Sequence, residues 1–343
     1  MLTSQQIKEI GLAYGADVVG IASMDRFEGA PIQMDPRYMM PRAKSMVVFG
    51  YRIFRGALRG VEEGTFFGSY STMCYGYINQ KVIPWTARQV ARVIEDEGYE
   101  AMPLGYHIYY GAVNTNDGKS WKDNVTGYSV PVAPGLPRPD VYMSIRIAGW
   151  LAGLGEIGYS KVFLSPKFGP RIRLACMMTD LELEPDPIMP PGTICNKCKA
   201  CARQCPGQAI SLTETVKVRI AGYDLEWGKL DEPGCNRAFV GAENCEQGDP
   251  LSGYLDGAKG ATTRPSPITP FYHKPSIQYS TGQAICGGRG CMRACMMSLE
   301  ARGILENKFD APFRRRPQWS VDWNAVREKD EAEKAAKQEK EEQ

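Results

Sequence analysis

Four cysteines within one short run constrain this chain more than any other feature. Cys195, Cys198, Cys201 and Cys205 are spaced C-x2-C-x2-C-x3-C, and Pro206 follows at once. Three thiolates on one tight loop can face three irons of a single 4Fe–4S cubane. In this spacing the fourth cysteine reaches across to a second cluster. The proline stops the loop from continuing as a helix. A zinc ribbon asks for two separated C-x2-C pairs, which this run is not.

A second cluster needs more cysteines, and Cys235, Cys245, Cys286, Cys291 and Cys295 supply them downstream. The stretch Cys286-Gly-Gly-Arg-Gly-Cys291-Met-Arg-Ala-Cys295 is C-x4-C-x3-C. It resembles the second half of a bacterial ferredoxin module, with the usual C-x2-C widened by two residues and Met296 where a proline would close it. The pseudo-symmetry of that module implies Cys195, Cys198, Cys201 and Cys295 for one cluster. The other takes Cys205, Cys286, Cys291 and either Cys235 or Cys245, with Cys235 preferred. Read without clusters, the downstream cysteines are buried free thiols.

Composition narrows the function. The chain has 343 residues, 43% of them hydrophobic, enough for one large domain or two with a sizeable core. A net charge of +2 implies neither a nucleic acid nor a membrane as partner. Thiolate-bound iron belongs to a reducing compartment. No apolar run reaches the roughly 18 residues of a membrane span, and the N-terminus has no h-region or twin arginine. A soluble, cytoplasmic protein of an anaerobic setting is expected. Two histidines and no nucleophile elbow argue against hydrolase chemistry. There is no GxGxxG and no Walker A run.

Along the chain, Thr3 and Gln6 predict a capping box for a helix over 3–15, closed by Gly15. The valine-rich runs Ala16–Ala22 and Ser45–Gly50 predict strands of a sheet covered on both faces. Residues 51–80 are rich in Gly, Phe and Tyr. A helix opens at Pro84 or Trp85 and runs to Glu97 with Ile83, Ala87, Val90, Ala91 and Ile94 on one face. Residues 100–140 follow no period and read as a lid or pocket wall. Met143–Gly155 reads as a small-residue helix, Ser165–Asp180 as a turn and a strand, Pro185–Pro191 as a linker. The tail from Ala325 alternates Glu and Lys and reads as a solvated helix.

From Ile147 to Asp186 the order AGWLAGLGEIGYSKVFLSPKFGPRIRLACMMTDLELEPD, followed by the cysteine run, resembles the cobalamin-dependent reductive dehalogenases and their relatives, the epoxyqueuosine reductases. GADVVGIA, KSMVVFGY and the helix ending Glu97-Gly98-Tyr99 are also similar, so the resemblance covers most of the chain from about 10 to 300. It implies an α+β (α/β) fold: a nitroreductase-like, corrinoid-binding core over 1–184 and a ferredoxin-like module with two 4Fe–4S clusters over 185–310. An insertion at 246–285 interrupts that module, and a charged tail follows over 311–343. The implied cofactors are base-off cobalamin and the two clusters, a coherent pairing because reduced cobalt must be fed by a low-potential centre.

The carry-over is residue by residue. The AGLG and FGPR stretches put Gly153, Gly155, Phe168 and Arg171 on the corrinoid side. The second arginine of FGPRIR is Arg173, which the resemblance sets beside a proton-donating tyrosine. Tyr77 is preferred for that tyrosine over Tyr75. Asp140 falls near the aspartate that donates a proton in the epoxyqueuosine reductases, while Pro139 replaces the asparagine found in the dehalogenases. The implied function is reductive dehalogenation of a small organohalide, with aromatic ones among the candidates. An external low-potential donor of ferredoxin or flavodoxin type is required, since no flavin or NAD domain is fused. Two alternatives stand: an electron-transfer protein that reduces a corrinoid partner, and an epoxyqueuosine reductase. The second needs a basic footprint for tRNA, and no nucleic acid is expected.

Overall fold

Alternation along one strand sorts the interior into two layers. In the computed structural model, which describes residues 2–105, 130–139, 141–241, 284–313 and 317–341, strand β2 (Ser45–Arg52) is buried over nearly its whole length. Val47, Phe49 and Tyr51 point into one apolar layer, and Met46 and Val48 into the other, as the two-residue period of a strand requires. Strands β1 (Val18–Ser23), β3 (Ala101–Gly105) and β6 (Ile172–Thr179) complete the sheet in the order β1-β2-β6-β3, with every neighbouring pair antiparallel. Along β6, Ala175 and Met177 join the first layer, while Leu174, Cys176 and Met178 join the second.

Two helices cover the first face. Helix α1 (Ser4–Ala13) carries the expected capping box: the Gln6 N–H donates to Thr3 Oγ1 at 3.2 Å, and the Thr3 N–H donates to Gln6 Oε1 at 2.9 Å. It ends at Gly15, φ +109°. A short helix α2 (Arg59–Glu63) precedes a wide, π-type helix over Tyr70–Val82, which runs straight into α3 (Ile83–Asp96). The aromatic stretch hid that helix from the sequence reading. The wide turns precede Pro84, which has no N–H to return to the ladder. Ile7, Ile83, Val90 and Ile94 reach the sheet, and burying each such side chain contributes about 1.5–3 kcal/mol.

The second face is closed by α4 (Ile145–Leu151), through Ala148, Trp150 and Leu151. A hairpin of β7 (Ile210–Ile220) and β8 (Tyr223–Leu230) adds Ile220, Leu225 and Trp227. Between α4 and β6 lie the two-residue strands β4 (Glu156–Ile157) and β5 (Phe163–Leu164). After β6 the chain is pinned to the edge of the sheet. Asp186 accepts from Lys8 Nζ at 2.5 Å and from the Ile21 N–H at 2.9 Å. Helices α5 (Ala200–Arg203), α6 (Glu232–Val240), α7 (Cys291–Ala301) and the exposed α8 (Trp323–Glu341) follow. Ala284, Ile285, Met296 and Phe313 are buried in the same layer as Val47, so the returning C-terminal stretch completes the first core. No helix among the described residues is long and apolar enough to cross a membrane.

Candidate functional site

A buried carboxylate fastens the cysteine loop. Glu156, in β4, is 2% exposed. It accepts backbone N–H bonds from Gly192 at 2.5 Å and Ile194 at 2.6 Å, and a third from Cys195. Arg302 donates to the Ile194 carbonyl at 2.9 Å. Lys197 and Lys199 then take φ of +54° and +58°, a left-handed region that costs a residue with a Cβ roughly 1–2 kcal/mol. These turns set Cys195, Cys198 and Cys201 around one cavity, and α7 brings Cys295 to the same cavity. The Tyr159 N–H donates to Cys195 Sγ at 3.3 Å, the type of bond that tunes a cluster thiolate. Cys201 is buried, whereas Cys198 faces solvent.

The second group is half-buried throughout. Cys205, Cys235 on α6, Cys286 and Cys291 feel one another's charge. Burial first, then repulsion between neighbouring thiols, pushes Cys235 up to about 11, Cys291 up to about 12 and Cys286 well above its ordinary value. Such thiols stay protonated until a cation displaces their protons. The Ala209 N–H donates to Cys205 Sγ at 3.3 Å. Gly290 is required by close approach, because a Cβ there would lie 2.6 Å from Cys286 Sγ. Cys245 lies outside the described residues. Among the described residues no three His, Cys, Asp or Glu side chains converge on a single metal ion. Four thiols lining a cavity, beside four half-buried and mutually close thiols, fit the donor sets of cubane clusters, whose ligands bind separate irons.

An aromatic wall joins the second thiol group to the sheet. Tyr70 and Tyr75 sit one wide turn apart on the π-type helix, so their rings meet edge to face at 6.4 Å; five residues apart on an α-helix they would diverge. Tyr70 is buried against the Gly287 backbone, where a Cβ would come within 2.8 Å of its ring. Burial pushes the Tyr70 phenol above its ordinary range, against the opposing pull of Arg173, so this phenol is neutral. Arg173, on β6, lies 4.3 Å over the Tyr75 ring, and its Nε donates to Asn79 Oδ1 at 3.1 Å. Asn79 is 1% exposed, and its Nδ2 has no hydrogen-bond acceptor among the described residues.

The other positions read from the sequence fall elsewhere. Tyr77 is 41% exposed, on the opposite side of the helix from the Tyr75–Arg173 contact. Asp140 lies outside the described residues. Gly155 has φ +153°, and a Cβ there would lie 1.9 Å from the Leu164 carbonyl oxygen. At Gly153 a Cβ would lie 2.6 Å from the Pro187 carbonyl oxygen. Phe168 and Arg171 are each 1% exposed. Arg171 donates to the Ile53 carbonyl and to Asn307 Oδ1, both at 2.8 Å, and burial lowers its pKa to about 10. Gly155 is buried as well, and Gly153 is half-buried. Sequence reasoning missed Glu156 and Asn79. Glu156 stood in the AGLGEIG stretch without a role, and nothing in the residues around Asn79 marked it.

No family model matches this chain. A tetrachloroethene reductive dehalogenase of Desulfitobacterium hafniense is 32% identical over 215 residues, 61% of this chain and 30% of that protein. The chain thus spans about a third of the length of that relative. Among solved structures, a reductive dehalogenase described with a mechanism for B12-dependent dehalogenation matches 93% of this chain and 40% of its own, with 20% identity and a TM-score of 0.47. An epoxyqueuosine reductase with an epoxyqueuosine-modified tRNA stem loop matches 69% and 56%, with 18% identity and a TM-score of 0.42. Over its matched residues the chain is similar in sequence to tetrachloroethene reductive dehalogenases.

Proposed function

We propose that this chain is an iron–sulfur- and corrinoid-dependent reductase that removes halogen from a small organic molecule: R–X + 2e⁻ + H⁺ → R–H + X⁻. The observation that carries the reading is the placement of two four-thiol groups beside a polar wall, in a chain homologous to reductive dehalogenases. Cys195, Cys198, Cys201 and Cys295 hold one 4Fe–4S cluster, and Cys205, Cys235, Cys286 and Cys291 hold the other. The ferredoxin-like module is thus assembled from 195–205, 235 and 286–295. A corrinoid, when bound, supplies the strongly reducing centre that cleaves the carbon–halogen bond.

The chain's own groups do the rest. Arg173 stabilises negative charge that develops on the leaving halide, held in place by Asn79 Oδ1 at 3.1 Å. The Asn79 amide is free to donate to the same anion. Tyr75, under the Arg173 guanidinium, replaces Tyr77 as the proton donor to carbon, since Tyr77 is at the surface. Tyr70 stays neutral and seals the wall against water next to Cys286. Electrons come from an external low-potential donor, and the substrate is a small molecule.

The test is reduction of a halogenated phenol by the reconstituted protein, followed by halide release. Tyr75→Phe lowers kcat about 10²–10⁴-fold, the span of general acid catalysis, while Tyr77→Phe stays near wild type. Reconstituted clusters with no cobalt and no halide release would reject the dehalogenase. The alternative of an electron-transfer protein is favoured by the solvent exposure of Cys198, and it requires electron passage to a corrinoid partner protein instead.

A further inference from the structure

Around Cys198 the surface is cationic in an unusual way. Lys197, Lys199, Arg203 and Arg302 surround the solvent-facing thiol. Three of them bond neutral carbonyls: Lys199 Nζ to Leu212 at 2.8 Å, Arg203 Nη2 to Cys198 at 2.8 Å, and Arg302 Nη1 to Ile194 at 2.9 Å. A carbonyl fixes the direction of a cation without cancelling its charge. Only Lys197 meets a carboxylate here among the described residues, that of Glu226. Lys197 and Lys199 also hold their positions in left-handed backbone, where glycine would be the unstrained choice. The net charge of the whole chain is +2, so this excess is local.

We propose that this face is the docking site of an acidic, low-potential electron carrier. The inference rests on the cluster reading above and names where its external donor binds. The first thiol group is the only one of the two with a solvent-facing cysteine among the described residues, while Cys205, Cys235, Cys286 and Cys291 are half-buried. With a 4Fe–4S cluster held by the Cys198 group, one electron would pass to it from the carrier's reduced flavin, which would be oxidised by one electron as the cluster is reduced from 2+ to 1+, with no bond made or broken. A basic rim around such a port orients an acidic carrier and raises its association rate, and salt screens the effect.

The probe is a bacterial flavodoxin, acidic and photoreduced, mixed in a stopped flow with the anaerobically reconstituted protein, with cluster bleaching as the readout. The rate constant is expected to fall about tenfold or more between about 20 and 300 mM salt. The variant Lys197→Gln/Arg203→Gln is expected to lose about tenfold at low salt and nothing at high salt, with iron content and bleaching by dithionite retained. A rate indifferent to salt, or a variant as fast as wild type with full iron, would overturn the proposal. So would a tRNA stem loop that binds this face and blocks flavodoxin, which would reassign it to nucleic acid. A protein that retains no iron overturns the cluster reading and this proposal together, and the iron assay tells that failure from the others.

Discussion

Around β2 the interior is apolar on both sides, with Phe49 and Val47 facing one layer and Met46 and Val48 the other, all fully buried. Around Cys201 the buried neighbours are Tyr159, Ala202 and Ile210, and around Ile194 they are Leu164, Leu299 and Leu305. The sheet has enough packed surface to hold itself. The cysteine loops have small satellite clusters, a three-bond carboxylate anchor at Glu156 and lysines in left-handed backbone. On the cluster reading proposed above, the two regions draw stability from different sources: burial in the sheet, ligation in the loops.

Stripping the iron breaks the comparison most sharply. Amide exchange after anaerobic chelation is expected to lose protection over 192–205 and 286–301, while 18–23, 45–52 and 172–179 remain protected. Equal loss in both regions would mean that the sheet also depends on the metal. The next largest effect is Gly155→Ala. Its Cβ would overlap the Leu164 carbonyl, so a loss of about 4 kcal/mol or more is expected in thermal or denaturant unfolding. Glu156→Ala removes the carboxylate from three backbone donors and is expected to cost about 3 kcal/mol, since bonds to a charged group are worth about 1.5–3 kcal/mol each and the loop can relax toward water. Its sharper signature is selective: iron falls from about eight to about four per chain, because only the Cys195 group loses its anchor.

The smallest effect is on Cys176, buried in the second layer of the sheet, whose thiol burial alone pushes up to about 12 from 9.0. The folded state holds this proton more tightly than the unfolded chain. Its contribution to stability is therefore full below about pH 9 and is lost as pH rises from about 9 to 12. Native protein at pH 8 is expected to leave Cys176 unalkylated by iodoacetamide, and mass spectrometry of the labelled chain reads the result.

Much of this was legible in the residues. The Thr3–Gln6 box, the two valine-rich strands and the end of α3 near Gly98 are local signals, and local chemistry decides them. Cys195, Cys198, Cys201 and Cys295, grouped by the pseudo-symmetry of the ferredoxin module that the chain resembles, line one cavity. The wall around Arg173 was not legible. A π-type helix changes which tyrosines share a face, so Tyr75 rather than Tyr77 lies under the guanidinium, and a 3.6-residue period cannot show that. At Gly153 and Gly155 a Cβ would meet backbone carbonyl oxygens, a tertiary contact that the family pattern carried without showing its cause. The antiparallel order of the sheet was equally hidden, since a run buried on both faces reads the same in either direction.

The central claim is that the two thiol groups each hold a cubane cluster, and the direct measurement is iron and acid-labile sulfide per chain after anaerobic reconstitution. About eight irons and eight sulfides are expected in the wild type, and about four of each in Cys295→Ser and in Cys286→Ser alike. Four irons or fewer in the wild type, or zinc in their place, would contradict the account.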